Sequence, residues 1–197
     1  MNLLTGCPPI DFKIKEDNEI WQQQQEIKNL EKIGMSFNFG YATEVNPWKI
    51  TSIPWRTSNA TNYVGINVFP DGSKINNSVG CAMVVLEYGN EKEDEIWRLN
   101  NETTVFIAEM VATRETVNYC KQRQIARANI ISDSRSALVS IEPLEENRKF
   151  ILDIKNSLQD TNSNVLLWWT KAHTDNKGNE RADYFAKKAT EKQEIDF

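Results

Sequence analysis

The pattern that most constrains this chain is a set of three strand-like segments followed by an alternation of helices and strands. Residues 63–69 alternate between polar and apolar side chains and stop at a Pro-Asp-Gly-Ser turn, so they predict a strand whose C-terminal end carries Asp71. Residues 79–88 and 95–99 predict two more strands, joined by a short polar turn at Gly89. Because both connections are short, the three strands are expected to form an antiparallel meander.

The second half of the pattern adds helices between strands. Thr103 or Thr104 can cap a helix that continues to about Gln124. The segments that follow predict a strand, a helical turn after Asp133, a helix, a strand and a final helix: residues 129–132, 133–136, 145–161, 165–169 and 179–191. We therefore expect an α/β fold with a mixed five-stranded sheet and helices on its faces. Sites in such sheets form beyond the C-terminal ends of parallel strands, where Asp71 and Asp133 are predicted to lie.

The first 60 residues differ from the rest of the chain in composition and in the spacing of their apolar residues. Residues 16–32 are rich in glutamine with apolar residues at loosely helical spacing, and residues 47–59 hold Pro, Trp and Ser without a clear period. We predict that residues 1–60 are a tail or linker with a possible helix, that residues 61–191 form the α/β domain, and that residues 192–197 are a short tail.

Composition limits the class of protein and its partners. No run approaches the roughly 18 apolar residues of a membrane span, so no membrane association is expected. The three cysteines are odd in number and widely spaced, and the N-terminus lacks a signal-peptide pattern, so we predict an intracellular protein, nuclear or cytoplasmic, that is not secreted. The net charge of −5 argues against strong non-specific binding to nucleic acid, so any such contact must be local or metal-bridged.

Isolated acids and the single histidine suggest chemistry. Residues 168–183 hold an aromatic pair, His173, a Gly-Asn turn and Asp183, and Asp71, Glu109 and Asp133 lie upstream. If these acids fold together, four carboxylates meet beside one histidine, which is a donor set for divalent ions and phosphodiester hydrolysis. Taken singly, the acids after strands are ordinary turn formers, and the two predicted helical acids have ordinary roles on helices. Their joint order favours the metal-site interpretation.

Four motifs carry a family resemblance. They resemble the motif series of type 1 ribonuclease H domains, in particular those at the C-terminal end of the polymerase polyproteins of arthropod non-LTR retrotransposons. The motifs are Asp71-Gly72-Ser73-Lys74, Phe106-Ile107-Ala108-Glu109, Ser132-Asp133-Ser134-Arg135-Ser136-Ala137-Leu138, and Lys171-Ala172-His173 with Gly178-Asn179-Glu180-Arg181-Ala182-Asp183. Residues 4–11 resemble the segment that links reverse transcriptase to ribonuclease H there. The chain is therefore expected to be a fragment or truncated reading frame of such a polyprotein.

The resemblance implies a fold, an activity and roles for residues. It implies strand order 3-2-1-4-5 with strand 2 antiparallel, and hydrolysis of the RNA strand of RNA/DNA hybrids to leave 3′-hydroxyl and 5′-phosphate ends.

Two Mg²⁺ ions, for which Mn²⁺ can substitute, would be held by Asp71, Glu109, Asp133 and Asp183, with Asp71 bridging both. His173 would lie on a mobile loop and assist proton transfer or product release. The residues implied near the substrate backbone are Gly72, Ser73, Ser134 and Asn179. The implied partners are the hybrid and a reverse transcriptase domain of the parent element, and the protein is expected to be a monomer.

Two residues depart from the family pattern. Pro70 stands where a threonine is common, and Asp175 stands where a glycine is frequent. Pro70 removes a backbone donor and restricts φ beside Asp71. Neither change removes a predicted ligand. They leave open a second interpretation, a catalytically weak or inactive remnant that binds nucleic acid, and a third, a protein-interaction module that uses the glutamine-rich N-terminal segment.

Overall fold

The computed structural model describes residues 52–57, 64–144, 148–160, 164–172 and 176–197. The predicted helix at residues 16–32 and the loop residue His173 lie outside these ranges. Within them, no helix is both long enough and apolar enough to cross a membrane.

The described residues form six strands and four helices. The strands are β1 (Trp55–Thr57), β2 (Ile66–Ile75), β3 (Ser78–Glu87), β4 (Asn90–Leu99), β5 (Arg127–Ser132) and β6 (Asn164–Trp169). The helices are α1 (Val105–Gln122), α2 (Arg135–Ile141), α3 (Lys149–Asp160) and α4 (Lys177–Ala189).

One mixed sheet contains all six strands in the order β1-β6-β5-β2-β3-β4. β3 is antiparallel to both of its neighbours, β2 and β4, whereas the β1–β6, β6–β5 and β5–β2 pairs are parallel. The predicted mixed α/β sheet with one antiparallel strand is thereby confirmed. The five predicted strands keep their predicted order, but the strand count is wrong by one, because β1 extends the sheet at the β6 edge.

β1 falls inside the segment at residues 47–59 that was predicted to be a linker. It has only three residues, Trp55, Arg56 and Thr57, which is too short to show a strand period. It becomes a strand because it pairs in parallel with the end of β6, from Trp55 opposite Leu167 to Thr57 opposite Trp169. The tertiary partner, rather than the local sequence, determines this element.

The predicted end of the first strand at Pro70 is wrong. β2 continues to Ile75 and turns at Asn76 and Asn77, whose φ angles of 46° and 69° suit a tight two-residue hairpin. Parallel pairing with β5 stops at Val68, so the following residues of β2 run on beside β3 alone. Pro70 lies beyond the last residue of β2 that pairs with β5. Its missing N–H therefore does not cost the sheet a hydrogen bond to β5. Asp71 is therefore inside a strand, yet beyond the end of the parallel pairing.

The predicted third strand begins earlier than its apolar residues indicate. Residues 95–99 were predicted, whereas β4 starts at Asn90, because its polar first half pairs with β3. The hairpin between them turns at Tyr88 and Gly89, with φ angles of 49° and 79°.

The sheet is covered on both faces, because successive strand residues point to opposite sides. On one face, Val68 and Ile130 pack with residues of α1, α2 and α3. On the other face, Phe69 and Ile131 pack with Phe185 and neighbouring alanines of α4. Glu109 and Asp183 thus come from helices on opposite faces, while Asp71 and Asp133 come from the sheet between them.

Candidate metal centre

Three of the predicted carboxylates meet at the end of the parallel pairing. Asp71 lies in β2, Glu109 lies in the second turn of α1, and Asp133 follows the last residue of β5. One carboxylate oxygen from each lies within 4.8 Å of the other two. Asp71 is 6% exposed and Glu109 is 8% exposed. Two nearly buried acids and one partly exposed acid therefore share one small volume.

A glycine sets the distance between β2 and α1. A Cβ atom on Gly72 would lie 2.6 Å from the backbone nitrogen of Glu109 and 2.8 Å from the carbonyl carbon of Ala108. Any side chain there would push the helix away from the strand. Gly72 was implied to lie near the substrate backbone, and in the structure it also allows Glu109 to approach Asp71.

The start of α1 is fixed by contacts that involve both the helix and β2. Thr104 is the N-cap, and its Oγ1 accepts a hydrogen bond from the backbone N–H of Ile107 at 3.3 Å. The Nζ of Lys74 in β2 donates to the carbonyl oxygens of Asn101 and Thr103 at 3.0 and 3.1 Å. The strand that carries Asp71 therefore also holds the loop that leads into the Glu109 helix.

Asp133 is oriented by side chains from two other elements. Nδ2 of Asn179, at the start of α4, donates to its Oδ2 at 2.8 Å. The indole N–H of Trp169, the last residue of β6, donates to its backbone carbonyl oxygen at 3.0 Å. The sequence motif indicated Asn179 as a residue near the substrate, but nothing in the sequence indicated the role of Trp169, because its partner is 36 positions away.

Asp183 lies beside this group but is engaged elsewhere. Its Oδ2 accepts a hydrogen bond from Nζ of Lys187 at 2.7 Å, one helical turn further along α4. The charge of Asp183 still raises the pKa of Asp71. The structure thus brings three of the four predicted carboxylates together and holds the fourth nearby in an ion pair. Asp183 and Lys187 are at positions i and i+4 of one helix, a spacing that predicts an ion pair.

Burial and repulsion between carboxylates raise the pKa values of two of the acids, Asp71 and Glu109. Burial, with added repulsion from Asp133 and Asp183, raises the pKa of Asp71 to about 8, although the charge of Lys187 and the backbone N–H of Gly72 act in the opposite direction. Burial and the charges of Asp71 and Asp133 likewise raise the pKa of Glu109 well above its usual range. Without a cation, the carboxyl groups of Asp71 and Glu109 therefore hold their protons to higher pH than exposed carboxyl groups do.

The donor set fits a hard divalent cation. The three groups offer carboxylate oxygens, the ligands that Mg²⁺ and Ca²⁺ prefer. Oε2 of Glu109 is buried and has no hydrogen-bond partner among the described residues. A buried oxygen of this kind is costly unless something binds it, and a metal ion would both bind it and relieve the repulsion.

The other predicted site residues surround the acids. Ser73 and Ser134 are partly exposed, and Ser134 donates its backbone N–H to Oγ of Ser132 at 3.0 Å. Asn179 is only 3% exposed, and its Oδ1 has no partner among the described residues. His173 is not among the described residues. Asn179 therefore reaches the acids from within the protein, whereas the two serines lie at the rim.

A mixed sheet of this topology, with carboxylates converging beside its parallel strands, defines an α/β fold of the ribonuclease H type. The chain belongs to the RNase H family, because the family model matches residues 64–191, well over half of its length. Family membership implies nuclease activity on RNA/DNA hybrids in general.

Solved structures support the same fold. One similar structure is an N-terminal RNase H domain from Mycobacterium tuberculosis, solved as a fusion protein with maltose binding protein. It aligns with a TM-score of 0.53 and 15% sequence identity, covering 65% of this chain and 94% of that one. At this identity the likeness shows the fold alone. A comparison with curated protein sequences gives no significant match.

Proposed function

We propose that this protein is a metal-dependent endonuclease that hydrolyses the RNA strand of RNA/DNA hybrids and leaves 3′-hydroxyl and 5′-phosphate ends. The observation that carries the proposal is the convergence of two buried acids, Asp71 and Glu109, with the partly exposed Asp133, with one Glu109 oxygen lacking a partner among the described residues. Bound Mg²⁺ would supply charge neutralisation and a nucleophilic water at this group. The family assignment independently favours the same substrate class.

The four predicted carboxylates have distinct parts in this proposal. Asp71, Glu109 and Asp133 would hold the divalent ions directly, and Asp183 would join them once its ion pair with Lys187 opens. We propose Asp71 as the ligand that both ions would share, as the family resemblance implies. We propose Mg²⁺ as the physiological ion, with Mn²⁺ as a substitute.

Other residues would bind the substrate or move protons. Gly72, Ser73 and Ser134 lie around the acids with partial exposure, where backbone and hydroxyl groups can meet the sugar-phosphate chain. Contacts to 2′-hydroxyl groups would distinguish the RNA strand from the DNA strand.

Asn179 would act through Asp133, because it is buried against that carboxylate. His173 would assist proton transfer or product release.

The charge distribution favours a metal-bridged mode of substrate binding. The chain carries a net charge of −5, and two cations of the C-terminal motif are engaged in ion pairs, Arg181 with Glu91 and Lys187 with Asp183. Lys177 and Lys188 are exposed on α4. Because the ion pairs leave Arg181 and Lys187 less available to phosphates, we expect a shallow salt dependence of hybrid binding.

We also propose that the domain derives from a non-LTR retrotransposon, with a reverse transcriptase domain as its partner in the parent element. The support is the amino-acid sequence of the four motifs and the resemblance of residues 4–11 to the linking segment in such polyproteins. We propose that it acts as a monomer inside the cell.

Incubation with a labelled RNA/DNA hybrid and Mg²⁺ tests the activity. We expect cleavage of the RNA strand in the hybrid and no cleavage of duplex DNA. Asp133→Asn should abolish cleavage, whereas Asp94→Asn should not, because Asp94 is an exposed carboxylate of β4 outside the acidic group. An inactive wild-type protein, or an active Asp133→Asn variant, would contradict the proposal.

The second candidate function is a weakly active or inactive remnant that binds nucleic acid or protein. The ion pair between Asp183 and Lys187 favours it, because it occupies the fourth carboxylate. A remnant should show little stabilisation by Mg²⁺ in thermal denaturation, whereas an intact metal centre should become more stable with the logarithm of the Mg²⁺ concentration once that concentration exceeds the Kd.

A further inference from the structure

We propose that β1 is a positioning strand for the metal centre, and that Trp55 is a positioning residue that acts on Asp133 through α2 and β6. The inference rests on the proposed function, because it concerns the same carboxylates. β1 lies upstream of residues 64–191, the part that the family model matches. The domain therefore carries an added strand on the side of the sheet that supports Asp133.

The first contact of β1 is with β6. The two strands pair in parallel, and Thr57 lies opposite Trp169 at the end of the ladder. Trp169 is the residue whose indole N–H donates to the backbone carbonyl of Asp133. Without β1, β6 would be the edge of the sheet, and edge strands have unpaired backbone groups and more freedom to move. The pairing thus restrains the strand that holds the Asp133 backbone.

The second contact is with the end of α2. The indole N–H of Trp55 donates to Oε2 of Glu142 at 3.0 Å, and Oγ of Ser52 donates to the Glu142 carbonyl oxygen at 2.9 Å. Glu142 directly follows the last residue of α2, and α2 begins two residues after Asp133. The segment that carries Asp133 is therefore restrained on both sides by elements that β1 contacts.

Side-chain packing strengthens both contacts. Trp55 packs against the same buried cluster as Trp169, which includes Leu138 and Ile141 of α2. On the opposite face, the guanidinium of Arg56 lies 5.7 Å from the ring centroid of Trp168. β6 is thus held from both faces of the sheet. Metal sites lose affinity when outer contacts that orient their ligands are removed, and Trp55 restrains β6 and the end of α2, the elements that flank the Asp133 segment.

A Mg²⁺ titration followed by thermal denaturation tests the inference in the full chain. We expect Trp55→Ala to raise the Kd for Mg²⁺, obtained from the dependence of stability on Mg²⁺ concentration, by about tenfold, the low end of the loss for an outer contact of a metal site. The matched control is Tyr119→Ala, because Tyr119 is also a partly buried aromatic residue but packs against the cluster that includes Val85 and Ala128, ten residues along α1 from Glu109. It should lower the melting temperature and leave the half-saturating Mg²⁺ unchanged. Equal half-saturation in Trp55→Ala and wild type would overturn the inference.

A gentler pair of variants covers the case in which Trp55→Ala does not fold. Glu142→Ala removes the acceptor of the Trp55 indole from an exposed position, whereas Glu142→Gln keeps an acceptor oxygen. We expect the alanine variant to weaken Mg²⁺ binding and the glutamine variant to resemble wild type. Equal Mg²⁺ binding by Glu142→Ala and wild type would count against the role of this contact.

Hydrogen exchange in metal-free protein separates this inference from the proposed function. We expect the amides of residues 132–136 to exchange faster in Glu142→Ala than in wild type, and to be unchanged in Tyr119→Ala. If wild type neither cleaves hybrids nor binds Mg²⁺, the proposed function fails, and the exchange rates still decide whether β1 positions Asp133. Unchanged exchange at residues 132–136 in Glu142→Ala would overturn the inference even in an active enzyme.

Discussion

Nζ of Lys187 lies 2.7 Å from Oδ2 of Asp183, one turn along the same helix. Lys187 also lowers the pKa of Asp71, so its charge is felt within the acidic group. A divalent ion that binds Asp183 must therefore compete with an ammonium group already in contact with it. Lys187 therefore influences how readily Asp183 can bind a metal ion.

Removing the charge of Lys187 should strengthen metal binding. In Lys187→Met, the half-saturating Mg²⁺ should fall by about threefold to tenfold, because one charge interaction at a few Å is worth about 1 kcal/mol even in water. Stability without metal should change by less than about 1 kcal/mol, since the ion pair is partly exposed. The measurement is a Mg²⁺ titration followed by thermal denaturation.

Lys188→Met is the control for Lys187→Met, because it removes the same charge from the next residue, which is exposed. It should shift the Mg²⁺ titration much less. Equal shifts in the two variants would mean that net charge, rather than the contact with Asp183, controls metal binding.

Gly72→Ala should separate α1 from β2. The new Cβ would lie 2.6 Å from the Glu109 nitrogen, and overpacking of this kind costs about 1–3 kcal/mol. Because the displaced residue is Glu109, we expect Mg²⁺-dependent stabilisation and hybrid cleavage to be lost together. Gly80→Ala is equally crowded, with Ala189 Cβ at 2.7 Å, but it contacts the last turn of α4. It should lower the melting temperature and keep Mg²⁺ binding.

The acidic group should make the metal-free protein less stable as pH rises. Asp71 has a pKa of about 8 in the fold against an ordinary value of 3.8, so the folded protein keeps a proton that the unfolded chain has lost between these values. The resulting stabilisation is complete below about pH 4 and disappears as pH rises through about 8. Denaturation in a chelator should therefore show a decline over this range, with a smaller slope in Asp71→Asn.

Mg²⁺ should reverse this pH dependence. The ion binds the deprotonated carboxylates, so its affinity should increase as pH rises towards and past about 8. Thermal denaturation with and without Mg²⁺ across this range measures the effect. A stabilisation by Mg²⁺ that does not depend on pH would contradict the assignment of Asp71 as a ligand.

Asn179→Ala should impair cleavage more than it impairs folding. The change removes the hydrogen bond to Oδ2 of Asp133, and loss of such an outer contact costs about 10-fold to 100-fold in metal affinity or activity. Asn118→Ala is the control, because Asn118 lies on α1 and bonds Glu115 instead. A cleavage rate in Asn179→Ala equal to that of the control would exclude the positioning role.

Much of the fold follows from local pattern. The nearly continuous apolar run of β3 and the apolar residues of α1 indicated those elements, and Thr104 was one of two predicted caps. Errors occurred where pairing overrides local preference. β2 passes through Pro70 because β5 no longer pairs with it there, and the polar first half of β4 is a strand because β3 lies beside it. A single sequence contains no record of such neighbours.

The sequence by itself determined the donor types of the candidate site, because the motifs supply Asp71, Glu109 and Asp133, and it predicted Glu109 on a helix and Asp133 directly after a strand. Tertiary structure alone decided which of them meet and what orients them. Residues that are far apart in the chain come together in the crowding at Gly72, in the contacts of Asn179 and Trp169 with Asp133, and in the pairing of β1 with β6. Distances and orientations of this kind arise from packing between elements, and local periodicity holds no information about them.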